Sequence, residues 1–284
     1  MQEQTAAGEI TLAGTPIGNI GDASARLREL LAGSDVIAAE DTRRLHRLLQ
    51  GLQIAPTGRI ISYHEHNEEA RTAELLDLVR SGNNVLMVTD AGMPSVSDPG
   101  YRLVEAAVAQ GLRVTTAPGP SAVLTALTLS GLPTDRFCFE GFLPRKPGER
   151  KARLAELSRE QRTMVFFEAP HRLEVMLRAL SQGFGGNRKA AVAREMTKLY
   201  EEVLRGPLEE LLRWSESTEV RGEIVVVVAG APDKPPEDPA DHVAAVDTLV
   251  SGGIRLKDAV SSVAEDARIS KRELYAAVLA ARGK

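Results

Sequence analysis

Val85-Leu86-Met87-Val88-Thr89-Asp90-Ala91-Gly92-Met93-Pro94 is the stretch on which the fold turns. Its four consecutive apolar residues lack the alternation of a strand with one wet face, and they fit a strand buried on both faces of a parallel sheet. The run ends in small residues. Residues 98–111 then carry the punctuation of a helix, with Asp98 as N-cap, Pro99 in the first turn and Gly111 at the stop. Strand, Gly- and Pro-rich loop and helix together make one unit of an α/β protein.

The unit recurs on both sides. Upstream, residues 10–13 read as a strand running into Gly14-Thr15-Pro16-Ile17-Gly18-Asn19-Ile20-Gly21, with Asp22 capping a helix over 23–31 that stops at Gly33. Residues 35–39 form a strand delivering Glu40-Asp41-Thr42-Arg43-Arg44, and residues 68–79 a helix with Leu75, Leu76 and Val79 on one face. Downstream, 113–117 lead through Pro118-Gly119-Pro120-Ser121 to a helix ending near 130. Residues 163–167 lead through Glu168-Ala169-Pro170 to a helix from His171, and 190–193 and 223–228 are further strands.

With 284 residues the chain can hold two or three domains and bury roughly 75% of its unfolded surface. A hydrophobic share of 43% with 26% charged residues excludes disorder. One cysteine, Cys138, excludes an intramolecular disulfide and a multi-cysteine metal site, and it favours a cytoplasmic setting. Met1-Gln2-Glu3 does not open like a signal peptide, and no stretch nears the ~18 apolar residues of a membrane span, so no membrane partner is expected. Four prolines between 232 and 239 mark a Pro-rich acidic linker over 231–240. Beyond it, 241–284 read as a helical domain in which Ser270 caps a helix and Glu273 completes a capping box. A helix-turn-helix presenting Lys271 and Arg272 and a plain helical packing module both fit this segment.

Three small-residue loops end strands, where open α/β sheets bind ligands. Gly14, Gly18 and Gly21 are spaced four and three apart, which is not the G-x-G-x-x-G of a dinucleotide site. A tight turn explains one or two of them. The second loop, residues 90–100, combines small residues with Met93 and Val96, and the third, 118–122, offers backbone N–H groups at a helix start. Together they define one shared cleft. Glu40, Asp41, Glu168 and His171 sit at strand ends or helix starts near it and are the candidate catalytic groups; a surface ion pair of Asp41 with Arg43 or Arg44, and a helix-start charge for Glu168, explain those two equally well. His64-Glu65-His66 has no third ligand in view, so a half-exposed strand is expected there, without a metal.

These blocks, with Tyr63-His64-Glu65-His66-Asn67-Glu68, Glu140-Gly141-Phe142-Leu143-Pro144-Arg145-Lys146 and Phe166-Phe167-Glu168-Ala169-Pro170-His171-Arg172, resemble the tetrapyrrole methylase superfamily on its ribosomal-RNA-modifying branch, from about residue 10 to 230. The resemblance implies two α/β domains, here 1–119 and 120–230, with S-adenosyl-L-methionine held folded between them, usually in a homodimer. It implies 2'-O-methylation of a cytidine ribose in the decoding region of 16S ribosomal RNA. Carried over position by position, Asp90, Ala91, Gly92, Val96, Ser121, Ala122, Phe167, Ala193 and Arg194 would bind the cofactor. Tetrapyrrole-modifying members carry G-x-G-x-G after the first strand. Gly14-Thr15-Pro16-Ile17-Gly18 departs from it, which argues against a porphyrin substrate.

A net charge of -4, from 35 basic and 39 acidic residues, excludes a uniformly basic RNA binder but hides the distribution. Residues 145–153 hold five basic side chains against one acid, while residues 231–247 carry a net -4. Arg43, Arg44, Arg145, Lys146, Arg150, Lys151, Arg153, Lys271 and Arg272 are the candidate RNA contacts; Phe137, Phe139 and Phe142 fit either an RNA clamp beside the basic run or the core, and the core is the preferred expectation. A small-molecule, tetrapyrrole-like methylase of the same fold and a nucleic-acid-binding regulator using the C-terminal helices are the alternatives to an RNA ribose methyltransferase.

Overall fold

The computed structural model describes residues 7–232, 238–267 and 269–283. Residues 233–237 of the expected linker, and Arg268 and Lys284, lie outside the described residues.

Strands β1 (Glu9–Ala13), β2 (Val36–Ala39), β3 (Arg59–Ser62), β4 (Val85–Val88) and β5 (Arg113–Ala117) form a wholly parallel sheet in the order β3-β2-β4-β1-β5. Val85 to Val88 are all buried, as a strand with helices over both faces requires. Helices α1 (Ala25–Gly33) and α2 (Thr42–Leu52) cover one face through Leu27, Leu31, Leu45 and Leu49. Helices α3 (Glu68–Arg80) and α4 (Tyr101–Ala109) cover the other through Leu75, Leu76, Val79, Leu103 and Ala107. The chain leaves β1 toward one edge of the sheet and β4 toward the other, so these neighbours flank the point where a crevice opens at the strands' carboxyl ends.

Helix α5 (Ala122–Ser130) carries the chain into a second sheet of β6 (Phe137–Phe142), β7 (Thr163–Glu168), β8 (Lys189–Arg194), β9 (Glu202–Pro207) and β10 (Ile224–Val228), ordered β6-β7-β10-β8-β9. Only β6 and β7 pair in parallel. Val123, Ala126 and Leu127 of α5 pack on one face of it. Helices α6 (Pro147–Leu157), α7 (Leu173–Phe184) and α8 (Leu208–Ser217) pack on the other, around Phe166, Leu173, Leu177 and Leu180. Each of these four is fully buried and contributes about 1.5–3 kcal/mol from apolar burial alone.

Residues 1–231 form one compact unit and 232–284 another. The second contains α9 (Val243–Ser251), α10 (Leu256–Ala267) and α11 (Lys271–Arg282) around Val246, Val260, Leu274 and Val278. Ser270 caps α11, its Oγ accepting from the Glu273 N–H at 3.4 Å.

Several local expectations are corrected. Asp22 lies in a 3-10 turn, and Ser24 caps α1 instead, its Oγ accepting from the Leu27 N–H at 3.0 Å. Gly33 is the last helical residue rather than the stop after it. Gly100, at φ +130°, holds the cap position of α4, so Asp98 is not its N-cap. His171 belongs to a 3-10 turn, Pro170–Arg172, ahead of α7. Residues 64–66 form a turn between β3 and α3 rather than a strand, because Asn67 Oδ1 accepts from the His64 N–H at 2.9 Å and closes it.

Candidate active site

The loops after β1, β4 and β5 meet at the switch point. Thr15 and Gly92 exchange backbone hydrogen bonds of 2.9 and 3.1 Å, joining the first two. Gly14 lies so close to Gly119 that a Cβ on Gly14 would stand 2.7 Å from its Cα and 2.8 Å from Met93 Sδ. The same first loop reaches the second half of the unit: the Asn19 N–H donates to Thr197 Oγ1 at 3.0 Å, and Gly18 packs on Met196, Thr197 and Lys198.

Between these loops and the edge of the second sheet lies a cleft of about 480 Å³. Ile17, Glu40, Arg44, residues 90–93 and 96–98, and residues 121–123 line one side; Phe142, residues 167–170, Met196 and residues 222–225 line the other. Antiparallel pairing brings this about, since Ile224 at the start of β10 lies opposite both Glu168 at the end of β7 and Arg194 at the end of β8.

Of the expected cofactor positions, Asp90, Ala91, Gly92, Val96, Ser121, Ala122 and Phe167 line the cleft. Ala193 is fully buried against the α5 side of the sheet, and Arg194 is ion-paired with Glu202 at 2.6 Å; neither is in the lining. Met196, Gly222, Glu223 and Val225 line it from this half and were not singled out from the sequence. The available signal was Gly222 directly ahead of an acid-opened strand; at φ +90° its missing Cβ makes room for the Glu195 side chain.

The expected catalytic groups are dispersed. Glu40 and Glu168 line the cleft, whereas Asp41 caps α2 and chelates Arg43 at 2.8 and 3.1 Å, and His171 is exposed outside the lining. The Arg43 contact holds the Asp41 carboxyl well below the usual range. Glu168 is buried, with Oε1 accepting from the Ala169 N–H at 2.9 Å and facing Arg172 at 3.4 Å.

Asp98 joins Glu40 and Asp90 in the wall of the cleft. Burial raises all three carboxyls, and burial together with the charges of Glu40 and Asp90 pushes Asp98 up to about 7. Its loop is tense: Ser95 and Ser97 adopt φ of +70° and +63°, a region L-residues rarely visit. The loop's far end is fixed where the Gly100 N–H donates to Glu68 Oε1 at 3.0 Å, and the buried Tyr63 hydroxyl bridges Glu68 and Thr72 at 3.4 and 3.0 Å.

The phenylalanines correct an expectation. Phe139 packs edge-on against Phe167 at 4.8 Å, but Phe142 is 56% exposed and reaches Phe167 at 5.8 Å from the cleft mouth, and Phe137 is also exposed. β6 is an edge strand of its sheet. Arg145, Lys146, Lys151 and Arg153 are exposed on and just before α6, which follows Phe142; Lys146 pairs with Glu149, Arg153 with Glu140 and Glu156, and Arg150 donates to the carbonyls of Pro144 and Arg145. Arg44 pairs with Asp90 at 3.2 Å, Arg43 is exposed beside Asp41, and Lys271 and Arg272 are exposed at the start of α11.

The family model for Tetrapyrrole (Corrin/Porphyrin) Methylases matches residues 9–212, and the chain belongs to that family. Among its relatives, the ribosomal RNA small subunit methyltransferase I of Mycobacterium tuberculosis (strain ATCC 25618 / H37Rv) is 50% identical, covering 97% of this chain and 96% of its own. The protein of the same name from Pseudomonas aeruginosa PAO1 is 41% identical over 98% and 99%. In fold the chain is similar to the methyltransferase CobJ, with a TM-score of 0.60 at 23% identity over 81% of this chain and 97% of that one. It is likewise similar to uroporphyrin-III C-methyl transferase from Thermus thermophilus complexed with S-adenyl homocysteine, with a TM-score of 0.54 at 19% identity over 78% and 97%.

Proposed function

We propose that this protein is an S-adenosyl-L-methionine-dependent methyltransferase of small-subunit ribosomal RNA, and that its target is the 2'-hydroxyl of a cytidine in the decoding region. What carries the reading is 50% identity along 97% of the chain to a relative named for that RNA, together with a cleft built for a cationic ligand. Glu40, Asp90, Glu168 and Glu223 face the cleft against Arg44, itself held by Asp90. That field favours a sulfonium and an ammonium. Gly92, Ala91 and Ala122 allow backbone approach, and Phe167 with Val96 offers apolar cover.

Asp90, Ala91, Gly92, Val96, Ser121, Ala122 and Phe167 would hold the cofactor, which when bound supplies a methyl group activated by positive sulfur. The chain's share of the chemistry is alignment: two loops locked by the Thr15–Gly92 bridge face a second wall at β10, and between them donor and acceptor would be held in line with water displaced. The RNA would enter over Phe142 and the basic residues of α6, namely Arg145, Lys146, Arg150, Lys151 and Arg153, with Arg43 and Arg44 on the opposite rim and Lys271 and Arg272 as added phosphate contacts. We place the enzyme in the cytoplasm, where its substrate is assembled, and read it as a homodimer.

The test is methyl transfer from labelled cofactor to small ribosomal subunits lacking the modification, with the nucleotide mapped. The expected product is one labelled ribose in the decoding region. Label on a base, or none while calorimetry shows cofactor bound, overturns the reading. Sedimentation at micromolar concentration tests the dimer, and a monomer sinks that part.

A further inference from the structure

The geometry points to Asp98 as the group that takes the ribose proton in the methyl-transfer reaction. A carboxylate serves best as a base when no protein donor or cation already stabilises its anion and its segment holds its position. The cleft has five carboxylates, and four are engaged. Glu40 Oε2 accepts from the Asp90 N–H at 3.2 Å. Asp90 accepts from the Asp41 N–H at 3.2 Å and pairs with Arg44 at 3.2 Å. Glu168 is held by the Ala169 N–H and Arg172, and Glu223 by Lys198 at 3.0 Å. Among the described residues, Asp98 alone of the five has neither a hydrogen bond nor an ion pair from a protein group.

Its position is nonetheless fixed. Ser97 before it sits at φ +63°, Pro99 follows, and Gly100 at φ +130° is fastened to Glu68, which accepts from the buried Tyr63 hydroxyl, itself bonded to Thr72. Asp98 is half-buried, so it can pass a proton to solvent after each turnover. Of the charged groups lining the cleft, Glu40 and Asp90 bear on it and raise its basicity, with burial as the larger cause. That places it nearer neutrality than an ordinary aspartate, where a base works best.

The step balances. The ribose oxygen forms a bond to the methyl carbon, the carbon–sulfur bond breaks with its electron pair staying on sulfur, and the hydroxyl proton moves to Asp98 Oδ. This assignment rests on the methyl-transfer reading above and adds to it the identity of the base.

Three measurements decide it. In the free protein, carboxyl carbon NMR of labelled aspartate, with Asp98→Asn identifying the resonance, is expected to show titration near 7, whereas titration at an ordinary aspartate value overturns the proposal. In single-turnover transfer the wild-type rate falls with unit slope as pH drops through the base's pKa. Asp98→Asn lowers the rate about 10²–10⁴-fold and abolishes that limb, while cofactor affinity by calorimetry stays within about 3-fold. An Asp98→Asn enzyme with near wild-type rate and an unchanged limb overturns it, and so does a loss of cofactor affinity that accounts for the lost rate. Should the Asn variant fail to fold, Asp98→Glu decides: the limb persists with a moved inflection if residue 98 is the base, and an unmoved one overturns the proposal. If wild type itself leaves RNA unlabelled, the functional reading has failed instead.

Discussion

The two sheets of the first unit meet at one cleft but bring different things to it. The parallel sheet brings carboxylates on tight loops, because every one of its strands points the same way and each βα turn opens at the same end. The second sheet is mixed. Strand starts and strand ends share its cleft edge, and it contributes Phe142, Phe167, Ile224 and Val225 beside Glu168 and Glu223, with a basic stretch on and before α6. Three of the five cleft carboxylates come from the first half, and the aromatic cover and the basic stretch from the second, so changes in each should separate experimentally.

The largest expected effect lies in the second half and is structural. Arg172→Ala leaves the Glu168 carboxylate, 1% exposed, without its cation, and should cost about 3–5 kcal/mol in chemical denaturation; a loss below about 1 kcal/mol means that the pair does not hold this wall of the cleft. Next comes Gly14→Val in the first half, which drives a side chain into Gly119 and Met93. It should lower stability by about 1–3 kcal/mol and cofactor affinity at least about 10-fold, and unchanged calorimetry breaks the idea that the locked loops shape the cofactor wall. Lys146→Glu with Arg150→Glu should weaken RNA methylation about 10-fold at ~0.1 M salt while cofactor affinity stays put. Loss of both would dissolve the division between the halves.

The smallest effect is a gain. Folding raises the Asp98 pKa from its ordinary 3.8 to about 7, so the folded state holds the proton more tightly and the ionised form is a burden above pH 7. Asp98→Asn should therefore raise the thermal midpoint by roughly 2–4 °C at pH 8, on the order of 1 kcal/mol after allowing for its partial exposure. The benefit should shrink as pH falls and vanish below about pH 4, where both states are protonated. A midpoint that is lower at pH 8 contradicts the sign.

Legibility from the sequence follows burial. Val85 to Val88 and Ile224 to Val228 are buried on both faces and announce themselves as apolar runs. Strands β3, β6 and β9 are edges in which only Ile61 is buried, with no period to read; β5, also an edge, was legible from the Pro118-Gly119-Pro120 loop that ends it. The loops of the cleft were legible because glycine and proline there are demanded by close backbone approach, as at Gly14 and Gly119. Asp98 was misread because Asp-Pro is a good helix opening; only the folded loop, with Gly100 in the cap position, turns its side chain to the cleft. The contribution of residues 222–225 was hidden for another reason, since antiparallel pairing puts a strand's start at a site where parallel logic looks only for ends.

The first loop bears on affinity in a way its glycines do not announce. Anchored to Gly92 in one half and to Thr197 in the other, it works as a spacer that sets the distance between the walls before any ligand arrives. The conformational entropy of ordering the cleft is then lost once, when the chain folds, and each binding event is relieved of it. A methyltransferase of ribosomal RNA built this way keeps its gap ready rather than rebuilding it at every encounter.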